Sequence, residues 1–257
     1  MVDLPAIPKS FAGLPWTHGL SGAVFYVNDD VVVKRPLSED LCKQQLDVER
    51  QIYERLGSHP RIAKLLGTVG DMLILERLQC PLRQRLLDLR SQQQRPTAQQ
   101  VTRWASQTAE ALRHAHSRGV KQVDIGTYNV LLDGDDDAKL SDFAGSSLDG
   151  SEPTVAPSAH ATHPRLSVTE PSISSELFAF GSFLYEVETT YEPYHDKNDE
   201  ELEDLFEREA YPDTDRMILG EVIKKCWTAQ YTDADEMIAD IQSAQRRLQE
   251  CHYDSGT

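Results

Sequence analysis

Two carboxylates and an amide stand at telling distances in the middle of the chain. Asp124 opens the run Asp124-Ile125-Gly126-Thr127-Tyr128-Asn129-Val130-Leu131-Leu132, and Lys139-Leu140-Ser141-Asp142-Phe143 follows after an acidic stretch. Their oxygens are the hard donors that a small divalent cation such as Mg²⁺ prefers. Upstream, Lys34 ends the apolar run Val31-Val32-Val33, and Glu49 lies in the charged segment beyond it. Earlier still comes Gly19-Leu20-Ser21-Gly22-Ala23-Val24. Glycines let backbone N–H groups approach an anion with no Cβ in the way. Phosphoryl transfer asks for a backbone cradle over the phosphates, a cation on them and a partner that fixes it. It also asks for oxygen ligands for magnesium and a base beside the acceptor hydroxyl. The chain offers a candidate for each. Singly most are bland: two glycines mark a turn, a strand-end lysine is usually solvated, and Glu49 sits among Asp47, Arg50 and Glu54 like a surface residue. The combination around Asp124, Asn129 and Asp142 is what chance does not readily supply.

Periodicity shows the elements that must position these groups. Residues 22–27 and 31–34 are β-branched or aromatic around Asn28-Asp29-Asp30, a hairpin signal. Residues 38–57 read as a helix capped by Ser38, with apolar positions at Leu41, Val48, Ile52, Tyr53 and Leu56, ended by Gly57. Residues 62–78 read as two strands about Gly70-Asp71, and 81–93 and 97–118 as helices, the second stopping at Gly119. Val130-Leu131-Leu132 and Lys139-Leu140 flank an acidic turn, a second hairpin. Residues 145–173, rich in Ser, Pro, Thr and His without period, read as a long loop. Residues 174–189 are apolar nearly all round, so they form a buried helix, and 199–250 are helical and charged. The expected fold is α+β in two lobes. A small β-rich N-lobe covers about 16–78 and a larger helical C-lobe about 79–250, with an N-terminal tail over 1–15.

Taken together, over roughly residues 16–245, these motifs resemble the eukaryotic protein-kinase family. The segment Ser141-Asp142-Phe143-Ala144-Gly145-Ser146-Ser147-Leu148-Asp149-Gly150 is similar to one in small fungal kinase-domain proteins. The resemblance implies a protein-kinase-like domain that uses ATP and Mg²⁺. Gly19, Gly22 and Val24 match the family's glycine-rich loop over the phosphates, G-x-G-x-x-G-x-V. Lys34 matches the lysine of V-A-I-K, and Glu49 the helix glutamate that pairs with it. Asp124 would take the proton of the acceptor hydroxyl or orient that hydroxyl, while Asn129 and Asp142 would hold Mg²⁺. Leu75-Glu76-Arg77-Leu78 would be the hinge, with backbone groups of Glu76 and Leu78 at the adenine and Leu75 at the back of the pocket. Ser175–Gly181 resembles the family's buried helix, and Lys225-Cys226-Trp227 its late Cys-Trp helix.

The departures are specific. H-R-D reads Gln122-Val123-Asp124, so the arginine that pairs with an activation-loop phosphate is absent. No phosphate-operated ordering of 145–173 is therefore expected. Gln122 needs hydrogen-bond partners or costs stability. Gly126 stands where a lysine contacts the γ-phosphate, D-F-G reads Asp142-Phe143-Ala144-Gly145, and Glu176 replaces an aspartate one methylene shorter. A-P-E is missing, with Glu170-Pro171 its nearest substitute. The expectation is a protein kinase of serine/threonine type, moving the γ-phosphate of ATP to a protein substrate. The alternative is a pseudokinase that binds nucleotide or a partner protein without efficient catalysis. A small-molecule phosphotransferase of the aminoglycoside or choline type shares the lobes, but the 145–173 loop and the Ser175–Gly181 helix fit it less well.

Composition narrows the partners. A net charge of −16 argues against nucleic acid, whose phosphates want clustered Lys and Arg, and against an anionic membrane. Cys42, Cys80, Cys226 and Cys251 form no C-x-x-C pair, so neither zinc nor a disulfide framework is expected. His160 and His163 read as solvated, and His114 and His116, two apart, do not share a helix face. No stretch approaches the roughly 18 apolar residues of a membrane span, and the N-terminus does not read as a signal peptide. A cytoplasmic location is expected, with the nucleus and the oligomeric state left open.

Overall fold

The computed structural model describes residues 17–19 and 21–254. The tail expected over 1–15, and Leu20 of the glycine segment, lie outside the described residues.

The first lobe is built on a five-stranded antiparallel sheet. Its strands are β1 (Thr17–His18), β2 (Gly22–Tyr26), β3 (Val31–Pro36), β4 (Leu65–Val69) and β5 (Met72–Glu76), in the order β1-β2-β3-β5-β4. Successive strand residues face opposite sides, and β3 uses both. Val31 and Val33 pack with Ile74 in a small cluster, while Val32 joins the main core with Leu46, Ile52 and Leu75. Two residues on from Val32, Lys34 shares its face and is carried inward.

Helix α1 (Asp40–Leu56) covers that face. Its N-cap is Glu39, which makes no side-chain capping bond. Ser38 is therefore not the cap: it lies one residue too early for its hydroxyl to reach the N2 or N3 amide. The buried stripe is Cys42, Gln45, Leu46, Glu49, Ile52, Tyr53 and Leu56. Leu41 lies off that stripe and is 49% exposed.

The second lobe begins with β6 (Cys80–Pro81), α2 (Leu82–Ser91) and α3 (Ala98–Ser117). Thr97 starts α3 with a capping box closed by Gln100. Then come β7 (Val120–Lys121), β8 (Val130–Leu132), β9 (Ala138–Leu140) and β10 (Ser147–Leu148), followed by a 3₁₀ turn at Ala159–Ala161. The chain closes with α4 (Ile173–Thr189), α5 (Asp199–Glu207), α6 (Gly220–Trp227) and α7 (Ala234–Asp254). α4 is the central helix, packed on α3, α6 and the 3₁₀ turn, and α7 lies along α3. Residues 145–173 are thus not wholly loop: β10 pairs with β7, and the 3₁₀ turn seats on α4. Such short pieces leave no period to read. Nor are 199–250 continuously helical, since 209–219 form irregular chain and turns.

The β8–β9 hairpin, whose ends carry Asn129 and Asp142, is fastened to α3 through its acidic turn. Asp137 accepts from Arg61 (2.8 Å), Gln107 (2.7 Å) and Arg103, and Trp104 Nε1 donates to the Asp136 carbonyl at 3.0 Å. Burial opposes the Asp137 charge, but the donors Gln107, Arg61 and Arg103 outweigh it and hold the carboxyl down at about 2. An unfolded aspartate sits near 3.9. The resulting stability is present above about pH 4 and lost as pH falls through about 2. Asp137→Asn should lower the melting temperature at pH 7 and flatten its loss between about pH 4 and pH 2. Thermal melts across that range decide the point; unchanged curves would mean the knot contributes nothing.

Candidate active site

Lys34 is the meeting point of the two lobes. Its Nζ donates to Glu49 Oε2 at 2.6 Å and to Asp142 Oδ1 at 2.7 Å. Glu49 Oε1 accepts the Phe143 N–H at 3.3 Å. One N-lobe carboxylate therefore binds both the strand lysine and the backbone next to Asp142. Lys34 and Glu49 are buried, whereas 42% of the Asp142 side chain is open to solvent. Burial alone would lower the Lys34 ammonium, yet the Asp142 and Glu49 carboxylates outweigh it and hold it above its ordinary range. Burial pushes Glu49 up, with the Lys34 charge pulling back. Asp142 adopts φ +54°, in the left-handed region that residues other than glycine seldom occupy.

The second half of the site is the loop between β7 and β8. Asn129 Nδ2 donates to the Asp124 carbonyl at 2.8 Å and to Asp124 Oδ2 at 3.2 Å. Ser141 donates to the Asn129 carbonyl from both N–H (2.8 Å) and Oγ (3.0 Å), so the hairpin returns Asp142 beside Asn129. Tyr128 OH donates to Asp124 Oδ1. Burial raises the Asp124 pKa, against the pull of Tyr128 and Asn129.

Underneath, Glu176 of α4 anchors this loop. Its Oε1 accepts the Val123 N–H at 2.6 Å and its Oε2 meets His116 Nε2, also at 2.6 Å. Val123 needs the anchor, since a β-branched residue at φ +72° is strained. Sequence reasoning missed His116. Its partner lies 60 residues away, and the correct observation that His114 and His116 face apart concealed that each is used: His114 Nε2 bonds the Leu56 carbonyl at 2.8 Å. Gln122 is half satisfied. Its Nε2 donates to the Asp142 carbonyl at 3.1 Å, while its buried Oε1 has no partner.

The remaining expected residues are less concentrated. Gly19 is exposed and bonds the Gly22 carbonyl through its N–H at 2.9 Å, forming a turn. Gly22 belongs to β2, and a Cβ there would fall 2.8 Å from the Arg35 carbonyl oxygen. Close passage of β3 by itself demands glycine at that position. Val24 pairs with Lys34 across the strands. Leu75 is buried in β5. Glu76 spends its N–H on the Lys64 carbonyl (3.0 Å), which leaves only its carbonyl for an adenine. Its carboxylate binds Lys139 Nζ, both oxygens at 2.9 Å. Among the described residues, the backbone of Leu78 makes no hydrogen bond.

Two expectations on the periphery change. His160 is not solvated: its Nδ1 bonds the Pro193 carbonyl at 2.7 Å, and the His163 ring packs 5.0 Å from that of Phe178. Glu170 is exposed and makes no ion pair among the described residues. No group of three or more His, Cys, Asp or Glu that could hold a metal ion occurs among them either, and no helix there is long and apolar enough to cross a membrane.

The family described as protein tyrosine and serine/threonine kinase matches residues 23–239. A probable LIM domain-containing serine/threonine-protein kinase of Dictyostelium discoideum is 28% identical over 82% of this chain and 35% of its own length. CBL-interacting protein kinase 11 of Oryza sativa subsp. japonica is 26% identical over 71% of this chain and 37% of its own. A mitogen-activated protein kinase kinase kinase of Caenorhabditis briggsae is 27% identical over 72% of this chain and 22% of its own. The chain thus spans little more than a third, at most, of these relatives.

The buried pair also has an energetic signature. Glu49→Ala would leave Lys34 with one carboxylate and strand the Phe143 N–H. Removing one member of a buried ion pair costs about 3 kcal/mol, whereas Glu49→Gln, which keeps the shape, should cost less. Urea unfolding of the two variants measures the difference. Equal stability of Glu49→Ala and wild type would show that the pair carries no net energy.

Proposed function

The chain belongs to the protein tyrosine and serine/threonine kinase family, and from that premise we propose that it moves the γ-phosphate of ATP to a serine or threonine hydroxyl of a protein substrate. The observation that carries the proposal is Lys34, held between Glu49 and a half-open Asp142. Buried ion pairs are poor sources of net stability, because desolvation consumes most of the attraction. A charge set placed there answers a need for charge, and a partner-binding scaffold has no such need.

The donor set suits magnesium. Asn129 turns its amide nitrogen to Asp124, which leaves Oδ1 as its free oxygen, and Asp142 exposes carboxylate oxygen. Both are hard donors. Bound Mg²⁺ supplies neutralisation of phosphate charge. In this reading Asn129 and Asp142 hold the ion, and the Lys34 ammonium steadies the phosphates. The turn at Gly19–Gly22 covers them with Val24 beneath. Leu78 offers backbone donor and acceptor to adenine, with the Glu76 carbonyl and the Leu75 side chain beside it. Asp124 receives the hydrogen bond of the acceptor hydroxyl and orients its oxygen for in-line attack. Residues 16–250 act as one domain, and serine/threonine preference follows the names of the relatives. The excess acid favours protein partners over nucleic acid, and a cytoplasmic location belongs to the same reading.

The second reading, a nucleotide-binding pseudokinase, draws on Val123 and Gly126, where two charged side chains of the family are replaced. Purified protein with labelled Mg-ATP and a generic basic acceptor separates the two. Wild type should transfer label, and Asp142→Ala should fall to background while remaining folded. Mg-ATP at a hundred times its dissociation constant should stabilise wild type by about 2.7 kcal/mol, read as a raised melting temperature. Stabilisation without transfer would favour the pseudokinase.

A further inference from the structure

Tyr128 lies at the heart of the loop, and neither reading has given it a task. Its hydroxyl donates to Asp124 Oδ1 while Asn129 Nδ2 reaches Oδ2 at 3.2 Å. Each oxygen of the carboxylate thus carries one donor, and the plane of the group is fixed. A carboxylate oxygen has two acceptor sites, so one on each remains for an incoming hydroxyl.

The ring is held as firmly as the hydroxyl. A Cβ at Gly126 would fall 2.3 Å from Tyr128 Cε1 and 2.5 Å from Cζ, so the ring fills the space that any side chain at 126 would need. The Arg83 guanidinium lies over the ring, 4.8 Å from its centroid. That arginine is itself clamped by Glu186 (3.0 Å), Glu192 (2.6 Å) and Thr127 (3.2 Å). Gly126 and Tyr128 are one feature: the missing side chain makes room for the ring whose hydroxyl holds the aspartate.

We propose that Tyr128 is a positioning residue for Asp124, fixing the carboxylate that receives the acceptor hydroxyl, and that Gly126 is required for it to reach. The inference rests on the phosphoryl-transfer reading, since Tyr128 acts only through Asp124. Misplacing a reacting group by about 1 Å can cost about a hundredfold in rate, so the hydrogen bond has leverage enough to show in kcat.

Tyr128→Phe keeps the ring between Gly126 and Arg83 and removes only the hydroxyl. It should lower kcat by about ten- to a hundredfold, with KM for ATP and for the acceptor protein unchanged. Gly126→Ala should lower kcat likewise, and should cost nothing further in a Tyr128→Ala background. An unchanged kcat in Tyr128→Phe overturns the proposal. So does a raised kcat or a lowered acceptor KM, which would make the phenol a blocker of the site. Unfolding of Asp124→Ala, Tyr128→Phe and the double variant gives a reading independent of turnover. Non-additive losses support the contact, and additive losses overturn it. Should wild type transfer no phosphate at all, the kinase reading falls, and this cycle still decides whether Tyr128 holds Asp124. A wild type that transfers phosphate with no effect of Tyr128→Phe sinks the Tyr128 inference alone.

Discussion

An ammonium group that is almost wholly out of water can stay charged only if carboxylates meet it, and at Lys34 they come from both lobes. Glu49 approaches from α1 and Asp142 from the end of the β8–β9 hairpin, at 2.6 and 2.7 Å. That requirement reaches far into the structure. β3 must turn Lys34 to the same face as Val32, and α1 must carry a glutamate in an otherwise largely apolar stripe. The hairpin must hold its register so that Asp142 arrives where Lys34 expects it. Phe143 completes the joint: its N–H goes to Glu49 and its ring meets Tyr53, one helical turn on, edge to face at 5.3 Å. Desolvating Lys34 and Glu49 is costly, and neighbours with fixed positions are what make it tolerable.

The same logic explains how the divergent loop is supported. Val123 in a left-handed conformation is unfavourable by itself, and Glu176 answers it by taking the Val123 N–H. The extra methylene of Glu176 is accommodated by His116, which holds the other carboxylate oxygen. Beyond the loop, the 145–173 segment has contacts of its own to the rest of the fold. β10 pairs with β7, Gln45 donates to Thr154 Oγ1 at 3.1 Å, and Arg55 grips Asp149 with two bonds of 2.8 Å. The Arg55 pair is largely exposed and is worth little alone. The strand pairing and the seat of the 3₁₀ turn on α4 therefore hold more of this segment than the ion pair does.

What could be read beforehand depended on whether the signal was local. Asp124, Asn129 and Asp142 are separated only by a loop and a hairpin, so spacing brought them together. The strands and the long helices announced themselves by period. Glu49 did not, because its sequence neighbours Asp47, Arg50 and Glu54 are solvated, and only the position of Cys42, Leu46 and Tyr53 reveals that it points inward. The Ser38 cap failed by one residue for a related reason: capping depends on where the helical backbone begins, which Pro36 and the strand before it decide. The pairs His116–Glu176 and Arg83–Glu186 join residues 60 and 103 apart, and no pattern along a chain encodes such meetings. Gly22 shows the converse, since a residue read for its openness to phosphate is already required by the Arg35 carbonyl.

The two halves of the site are held together by different forces. At Lys34, charge meets charge in a buried setting, where salt screens little and where loss of one partner leaves another exposed to desolvation. Around Asp124, the family's charged side chains at 123 and 126 are absent, and the neighbouring groups are a phenol, an amide and a glycine. There Arg83 pairs with Glu186 and Glu192 and makes no ion pair with Asp124. Geometry in that half must then come from packing and from hydrogen bonds given by neutral donors, which weaken steeply with misalignment. A structure divided in this way should hold Lys34, Glu49 and Asp142 firmly under many surface changes. The setting of Asp124 answers to single atoms: one hydroxyl on Tyr128 and one absent methyl on Gly126.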